Sequence, residues 1–142
     1  MGYILGFLLS LPLYASFTGS YSGTGRAVFA SGRVYECSDI FLRMHVDAEN
    51  FRLREGGYIC GILQASFDAY RLTIKDGSLW HKDKLLGIIN EQEMRYEIFD
   101  PLDGSTYRLQ LYKKGPYEIA YFEEWHDGEK IALTVKGRLL SQ

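Results

Sequence analysis

The sequence lacks the short motifs that mark common enzymes and nucleotide-binding proteins. It contains no Gly-x-Ser-x-Gly or P-loop pattern, and Gly23-Thr24-Gly25 does not open a strand–helix–strand unit as a dinucleotide fingerprint would. The three histidines fall in separate segments, without the spacing to a second ligand that zinc sites show. We therefore expect a protein that is not an enzyme, with no catalytic residue, no metal and no cofactor.

Charge of one sign is not concentrated anywhere in the chain. Sixteen basic and 18 acidic residues are interspersed, which gives a formal net charge of −2. Nucleic-acid and anionic membrane surfaces attract clusters of Lys and Arg, and no such cluster occurs. The sequence thus predicts neither a nucleic-acid partner nor a membrane-surface protein.

Long apolar runs are also missing. The longest, Ile4–Ala15, is too short for a membrane-spanning helix, which needs about 20 residues. It has the length of a signal-peptide core, although no Lys or Arg precedes it. We predict that residues 1–20 are a signal-peptide-like or N-terminal extension and that residues 21–142 are one folded domain. The alternative is an N-terminal strand or helix that covers one end of the core.

Cysteine is scarce, and the two that occur, Cys37 and Cys60, lie symmetrically about a turn. If Val46 pairs with Phe51 across the turn, counting outward places the cysteines opposite each other. Opposed residues of an antiparallel pair are close enough for a disulfide. Together with the leader-like segment, this predicts a periplasmic or secreted protein, since disulfides persist in oxidising compartments.

The rest of the chain consists of short alternating segments between turn signals, without a convincing amphipathic helix. Aromatic residues make up 15% of the sequence, which favours strands. The predicted strands are Gly23–Ala30, Arg33–Val46, Phe51–Leu63, Phe67–Lys75, Ser78–Trp80, Leu85–Ile89, Met94–Phe99, Thr106–Tyr112, Glu118–Trp125 and Lys130–Leu140. We predict an all-β fold, a single up-and-down antiparallel meander of about 8–10 strands closed into a small barrel.

Turn placement also predicts which side chains face the interior. The three hairpin pairings are Asp100 with Ser105, Tyr112 with Tyr117, and His126 with Glu129. They agree on one apolar face, which contains Met94, Tyr96, Ile98, Tyr107, Leu109, Leu111, Ala120, Phe122, Ile131, Leu133 and Val135. In the cysteine hairpin the apolar parity changes near Ser38–Asp39 and Gly56–Gly57, which predicts paired bulges or a sharp bend.

Six side chains are candidate ligand contacts: Met94, Tyr96, Tyr107, Phe122, Glu118 and Glu124. Inward tyrosines either pack or orient an apolar ligand by hydrogen bonds. The two glutamates share the inward parity and are either rim residues that reach water or polar anchors at a pocket mouth. Glu123 is expected at the surface, and Trp125 near a turn, where it caps the barrel or presents a binding surface.

The strand count, the turn spacing and the opening segment Tyr21-Ser-Gly-Thr-Gly25 resemble those of the lipocalin-like, or calycin, small barrels. The Gly-x-Trp signature of the true lipocalins is replaced by Gly23-Thr24-Gly25. Together with the aromatic and methionine residues of the inner face, the missing catalytic motifs and the predicted export, this resemblance leads us to expect an exported, non-catalytic barrel that binds a small hydrophobic ligand.

Two alternatives belong to other functional classes. Tyr35-x-Cys37 and Gly104-Ser105-Thr106-Tyr107 resemble elements of periplasmic C-type lysozyme inhibitors, which implies a protein partner such as a secreted hydrolase. The third hypothesis is an enzyme that uses Glu118 or Glu124 as an acid or base inside an open cavity.

Overall fold

A computed structural model describes residues 17–142 as a single antiparallel β-sheet. The strands are β1 (Gly19–Phe29), β2 (Val34–Val46), β3 (Asn50–Cys60), β4 (Leu63–Phe67), β5 (Tyr70–Lys75), β6 (Ser78–His81), β7 (Lys84–Ile89), β8 (Glu93–Asp100), β9 (Ser105–Gly115), β10 (Glu118–Asp127) and β11 (Lys130–Ser141). The predicted all-β meander is confirmed, with eleven strands in place of 8–10. No helix among these residues is both long and apolar enough to cross a membrane.

The sheet closes on itself because its first and last long strands meet. β1 pairs with β11 on one side and with β2 on the other, and β2 pairs with β3 to complete the ring. β4 and β5 share one place beside β3, since β4 pairs with its C-terminal half and β5 with its N-terminal half. Closure removes the long exposed edges that an open meander would carry.

One end of the barrel, here called the lower end, is filled with side chains. It holds the turns after β2, β5, β7 and β9, and the start of β1. Phe17 is fully buried there, and Thr18 Oγ1 accepts a hydrogen bond of 2.9 Å from the Val46 amide. Most of the predicted leader, residues 1–16, lies outside the described residues, whereas residues 17–20 pack with the barrel. The opposite, upper end holds the turns after β1, β6, β8 and β10.

The cysteine hairpin confirms the predicted disulfide and register. Val46 pairs with Phe51, and Cys37 pairs with Cys60 and is bonded to it. Two bulges lie between these points, at Ser38 in β2 and at Arg54 in β3. Because each strand gains one residue, the two shifts cancel. The parity change predicted near Gly56–Gly57 therefore occurs slightly earlier in β3, at Arg54.

The predicted register is right for the β8–β9 hairpin and wrong for β9–β10. Asp100 pairs with Ser105 as predicted. Tyr112, however, pairs with Ala120: β9 continues through Gly115, which moves the register by four residues, and a bulge at Lys114 takes one residue back. The error of three residues exchanges the two faces of β10. Its fully or almost fully buried side chains include Ile119, Tyr121 and Glu123, and the inward placement of Ala120 and Phe122 was wrong.

The β10–β11 register is also displaced from the prediction. Trp125 pairs with Leu133, and a bulge lets His126 pair with Ile131. The β9–β10 and β10–β11 registers each differ from the prediction by three residues, and the two errors cancel for the faces of β11. Leu133 and Val135 are therefore buried as predicted. Ile131 lies beyond the bulge and is 45% exposed, which corrects its predicted inward position.

Candidate ligand-binding site

A cavity of about 490 Å³ opens at the upper end of the barrel, where the sheet wall is incomplete. Within the described chain, β4 pairs with β3 alone, and β8 pairs with β7 only along Gly87–Ile89. The gap between β4 and the β8–β9 hairpin leads into the interior. The lining residues are Ser66, Phe67, Asp68, Tyr70, Ile98, Asp100, Asp103, Ser105, Tyr107 and Trp125. We call this space the upper cavity.

Aromatic rings form the inner wall of the upper cavity. Tyr107 and Trp125 are paired across β9 and β10, and their ring centroids lie 4.9 Å apart. Phe67, from β4 on the far side of the gap, contacts Tyr107 edge-on at 6.0 Å. Rings that are already packed against one another lose little conformational entropy when a ligand binds. The wall is thus a preformed apolar surface.

Glu123 lies behind this wall and is completely buried. Its Oε2 accepts hydrogen bonds of 2.8 Å from the Tyr58 hydroxyl and from the Trp125 indole nitrogen. Its Oε1 accepts a hydrogen bond from the Tyr121 hydroxyl. The expected surface position of Glu123 was therefore wrong, because the β10 register turns this residue inward.

The carboxyl group of Glu123 is electrostatically perturbed. Burial raises its pKa, whereas the hydrogen bonds from the surrounding tyrosines and Trp125 act in the opposite direction. Burial also raises the pKa of Tyr58, Tyr107 and Tyr121, so these hydroxyls stay protonated and remain donors at physiological pH. The arrangement holds the indole nitrogen of Trp125 on the Glu123 side.

A second tyrosine pair lies next to the cavity. The hydroxyls of Tyr70 and Tyr96 are hydrogen-bonded, and the Tyr96 ring contacts Tyr107 at a centroid distance of 6.5 Å. Tyr70 lines the cavity, while Tyr96 is fully buried below it. Below this level the barrel is packed with apolar side chains, including Phe51, Leu109 and Met94. The upper cavity therefore ends on buried apolar side chains.

Of the six predicted contacts, only Tyr107 lines the upper cavity, with Tyr96 adjoining it. Met94 is buried in the filled part of the barrel. Phe122 lies under the Lys136 ammonium, 5.4 Å from the ring centroid, on the face of β10 opposite Tyr121 and Glu123. The assignment of ligand contacts stays a prediction.

The two predicted glutamates also lie away from the upper cavity, because the β10 register was wrong. Glu118 pairs with Arg138 at 2.8 Å near the lower end. Glu124 faces outward between the Arg108 guanidinium at 3.3 Å and His126 at 3.5 Å. Neither carboxylate reaches the cavity, so the inward parity predicted for them is corrected.

Sequence reasoning missed most of the cavity lining, including Phe67, Tyr70 and the three aspartates, and it expected Trp125 only as a cap or a binding surface near a turn. Tyr107 and Ile98 were recognised because the β8–β9 turn was placed correctly. For β10 the deciding feature is a bulge at Lys114, which turn residues and alternation do not reveal; the turn at Gly115-Pro116 by itself leaves the predicted parity unchanged.

Two smaller recesses lie elsewhere on the barrel and have different lining residues. One, of about 280 Å³, lies on the outer face beside Arg95, Glu97 and Arg108. The other, of about 320 Å³, is a shallow depression near Arg33, Tyr35 and Ile62 at the upper end. Residues 17–142 contain no cluster of three or more His, Cys, Asp or Glu side chains suited to a metal ion. Of these three recesses, the upper cavity is the one lined by the inward-facing Tyr70, Tyr107 and Trp125.

Solved structures with a similar fold were found at low sequence identity. A redesigned β-barrel matches 94% of this chain and 97% of its own at 13% identity and a TM-score of 0.52. Another redesigned β-barrel, bound to DFHBI, matches 89% and 98% at 10% identity and a TM-score of 0.50. An S-type phycobiliprotein lyase from Guillardia theta matches 91% and 90% at 10% identity and a TM-score of 0.60.

The likeness is one of fold. It confirms the lipocalin-like barrel that was predicted from strand count and turn spacing. No protein-family model matches the chain, and no curated protein sequence matches it. Because similar folds carry unrelated functions, the activity has to be argued from the upper cavity itself.

Proposed function

We propose that this protein is a binding barrel that holds a small, largely apolar ligand in the upper cavity. The observation that carries the proposal is a cavity of about 490 Å³, open at one end and walled by packed aromatic rings, above a filled core. Ligand sites of this size, with an apolar wall and a few placed polar groups, are typical of small-molecule binding proteins. The fold shared with a DFHBI-bound barrel is compatible with this function.

Binding without catalysis is favoured by the arrangement of the carboxyl groups. Glu118 and Glu124, the candidate acid–base residues, are ion-paired outside the cavity. Glu123 is saturated by tyrosine and tryptophan donors and has no exposed atom with which to reach a substrate. Its role in the proposal is to orient the wall. The Cys37–Cys60 disulfide supports export to the periplasm or outside the cell.

The protein-interaction alternative has less support from the site. Tyr107, the tyrosine of the inhibitor-like segment, lies in β9 and turns its ring into the upper cavity, where a partner enzyme would not reach it. Leu102, at the tip of the β8–β9 turn, is 95% exposed and is the feature that a protein partner would contact. A lysozyme inhibition assay tests this alternative directly.

Titration with the neutral, polarity-sensitive dye Nile red tests the binding proposal. The chain has two tryptophans, so in a Trp80→Phe protein Trp125 is the only tryptophan reporter. We expect dye binding to increase Nile red emission and to quench Trp125 in parallel. Ser66→Trp adds bulk to the cavity lining and should weaken binding by roughly tenfold or more.

Gln64→Trp is the matched control, since Gln64 lies in the same strand, is exposed, and does not line the cavity. It should bind Nile red as the parent does. If the parent protein shows no saturable binding, or if the two tryptophan variants behave alike, the upper cavity is not the binding site.

A further inference from the structure

The upper cavity has an unbalanced charge. Asp68, Asp100 and Asp103 line its mouth, and among residues 17–142 no Lys, Arg or His belongs to its lining. The chain as a whole has nearly equal numbers of acidic and basic residues, so this imbalance is local. A ligand seated in the cavity therefore experiences a field that favours positive charge at its outer end.

Two of these carboxylates are held in place by the β8–β9 turn. Asp100 Oδ1 accepts a hydrogen bond of 2.9 Å from the Leu102 amide, and Asp103 Oδ1 accepts bonds of 2.8 Å and 2.6 Å from the amide and hydroxyl of Ser105. Hydrogen bonds from Ser105 hold the pKa of Asp103 below its ordinary value, so it is ionised at neutral pH.

The inner wall adds a second preference for cations. Phe67, Tyr107 and Trp125 supply ring surface, and ring faces attract organic cations. Behind the wall is the Glu123 carboxyl group, whose described hydrogen-bond donors are the uncharged Tyr58, Tyr121 and Trp125. None of the described hydrogen bonds to Glu123 comes from a positively charged side chain.

We propose that the ligand is a hydrophobic organic cation, with an aromatic or apolar body and an ammonium group. This rests on the proposed binding function and specifies its ligand. The body packs on Phe67, Tyr107 and Trp125, and the ammonium lies at the mouth among the aspartates. The reverse orientation is disfavoured, because an ammonium at Glu123 would lose its water and displace existing donors.

Three naphthalene probes of similar size test the preference by isothermal titration calorimetry. They are (2-naphthylmethyl)trimethylammonium, the neutral 2-naphthylmethanol and the anionic 2-naphthoate. We expect the cation to bind about tenfold more tightly than the neutral probe and the anion to bind most weakly. Raising the salt concentration from about 0.02 M to about 0.5 M should weaken cation binding and leave neutral binding unchanged.

A double variant assigns the effect to the mouth. Asp68→Asn with Asp100→Asn removes two negative charges but keeps a carbonyl oxygen for the Leu102 amide. Glu49→Gln with Glu91→Gln removes the same charge from exposed turns at the lower end. The mouth variant should lose most of the tenfold preference for the cation, whereas the lower-end variant should keep it.

The outcomes separate this inference from the proposed function. If the neutral or anionic probe binds as tightly as the cation, or if both double variants behave alike, the cation preference is wrong while the binding function stands. If none of the three naphthalene probes and no Nile red binds, the binding function itself fails. Thermal unfolding of each variant checks that the barrel is intact.

Discussion

Tyr58 and Glu123 lie 65 positions apart in the sequence, yet the Tyr58 hydroxyl donates a 2.8 Å hydrogen bond to the Glu123 carboxyl group. The bond spans the barrel interior from β3 to β10. It joins the half of the chain that carries the disulfide to the half that supplies Tyr107 and Trp125. The inner wall of the upper cavity therefore depends on contacts from both halves.

Replacing Glu123 should destabilise the protein, and the loss should depend on whether the new side chain can still accept hydrogen bonds. Glu123→Leu leaves the donors of Tyr58, Tyr121 and Trp125 buried without an acceptor, and we expect a loss of about 3 kcal/mol or more in the free energy of unfolding. Glu123→Gln keeps one acceptor oxygen and should lose about 1 kcal/mol. Urea denaturation measures both.

Glu124→Gln is the control for these variants, because Glu124 is the adjacent residue but faces outward to Arg108. Its loss should be below about 1 kcal/mol, because Gln keeps an oxygen that can accept from the half-exposed Arg108 guanidinium. A Glu123→Leu protein as stable as the Glu124→Gln protein would show that the buried network contributes nothing measurable to the fold.

Stability should depend on pH through Glu123. Burial raises the folded pKa of this group above its ordinary value of 4.5, so between these two values the folded protein binds more protons than the unfolded chain. Its contribution is complete below pH 4.5 and declines as the pH rises through the folded pKa. The free energy of unfolding, measured from about pH 4 to about pH 8, should therefore fall more steeply in the parent than in Glu123→Gln.

Comparing the pH curves of the parent and Glu123→Gln separates the effect of Glu123 on stability from the opposite effect of exposed carboxylates. The pKa values of Asp47 and Asp103 are lowered by hydrogen bonds, so their contributions are lost as the pH falls. Both proteins share that acid-side loss. Parallel pH curves for the parent and Glu123→Gln would contradict the raised pKa.

The disulfide should stabilise the barrel by restricting the unfolded chain. Cys37 and Cys60 are 23 positions apart, and the chain-entropy model gives about 3 kcal/mol for a loop of this size. A Cys37→Ser/Cys60→Ser protein should lose about that amount in urea denaturation and become insensitive to reducing agent. Mass measurement of the aerobically purified parent without reductant gives the check: two free thiols would contradict the bridge.

Close strand approach should make Gly25 intolerant of a side chain. A Cβ at Gly25 would lie 1.9 Å from the Lys136 carbonyl oxygen and 2.8 Å from Ile40 Cδ1. We expect Gly25→Ala to cost about 3 kcal/mol, because backbone atoms have to move. Gly115→Ala, where nothing lies within 4 Å of the added atom, should change stability by less than about 0.5 kcal/mol. Equal midpoints for the two variants in thermal unfolding would contradict the clash.

The local parts of the architecture could be predicted because each depends on a short stretch of chain. The pairings of Asp100 with Ser105 and of Val46 with Phe51 follow from a turn and the alternation beside it. The pairing of Cys37 with Cys60 was also predicted correctly, although the count across the hairpin ignored two bulges. It succeeded because the extra residues at Ser38 and Arg54 cancel.

The β10 strand shows where this reasoning stops. Ile119, Tyr121 and Trp125 lie on one face, and Ala120 and Phe122 lie on the other, so both faces contain apolar residues. Alternation alone then does not determine which face is inward. Moving the turn to Pro116 changes the register by four residues and keeps the predicted parity, whereas the bulge at Lys114 takes one residue back and reverses it. Missing this bulge sent Glu123 outward in the prediction and brought Glu118 and Glu124 into the candidate site.

The sequence by itself determined the antiparallel barrel, most of its turns and the disulfide, since these arise from periodicity and turn chemistry over a few residues. Only the tertiary structure decided the site. The upper cavity combines Phe67 from β4 with Tyr107 and Trp125 from β9 and β10, and its wall is held by Glu123 and Tyr58. A buried glutamate is tolerated only where distant donors converge on it, and that convergence is a property of the closed sheet.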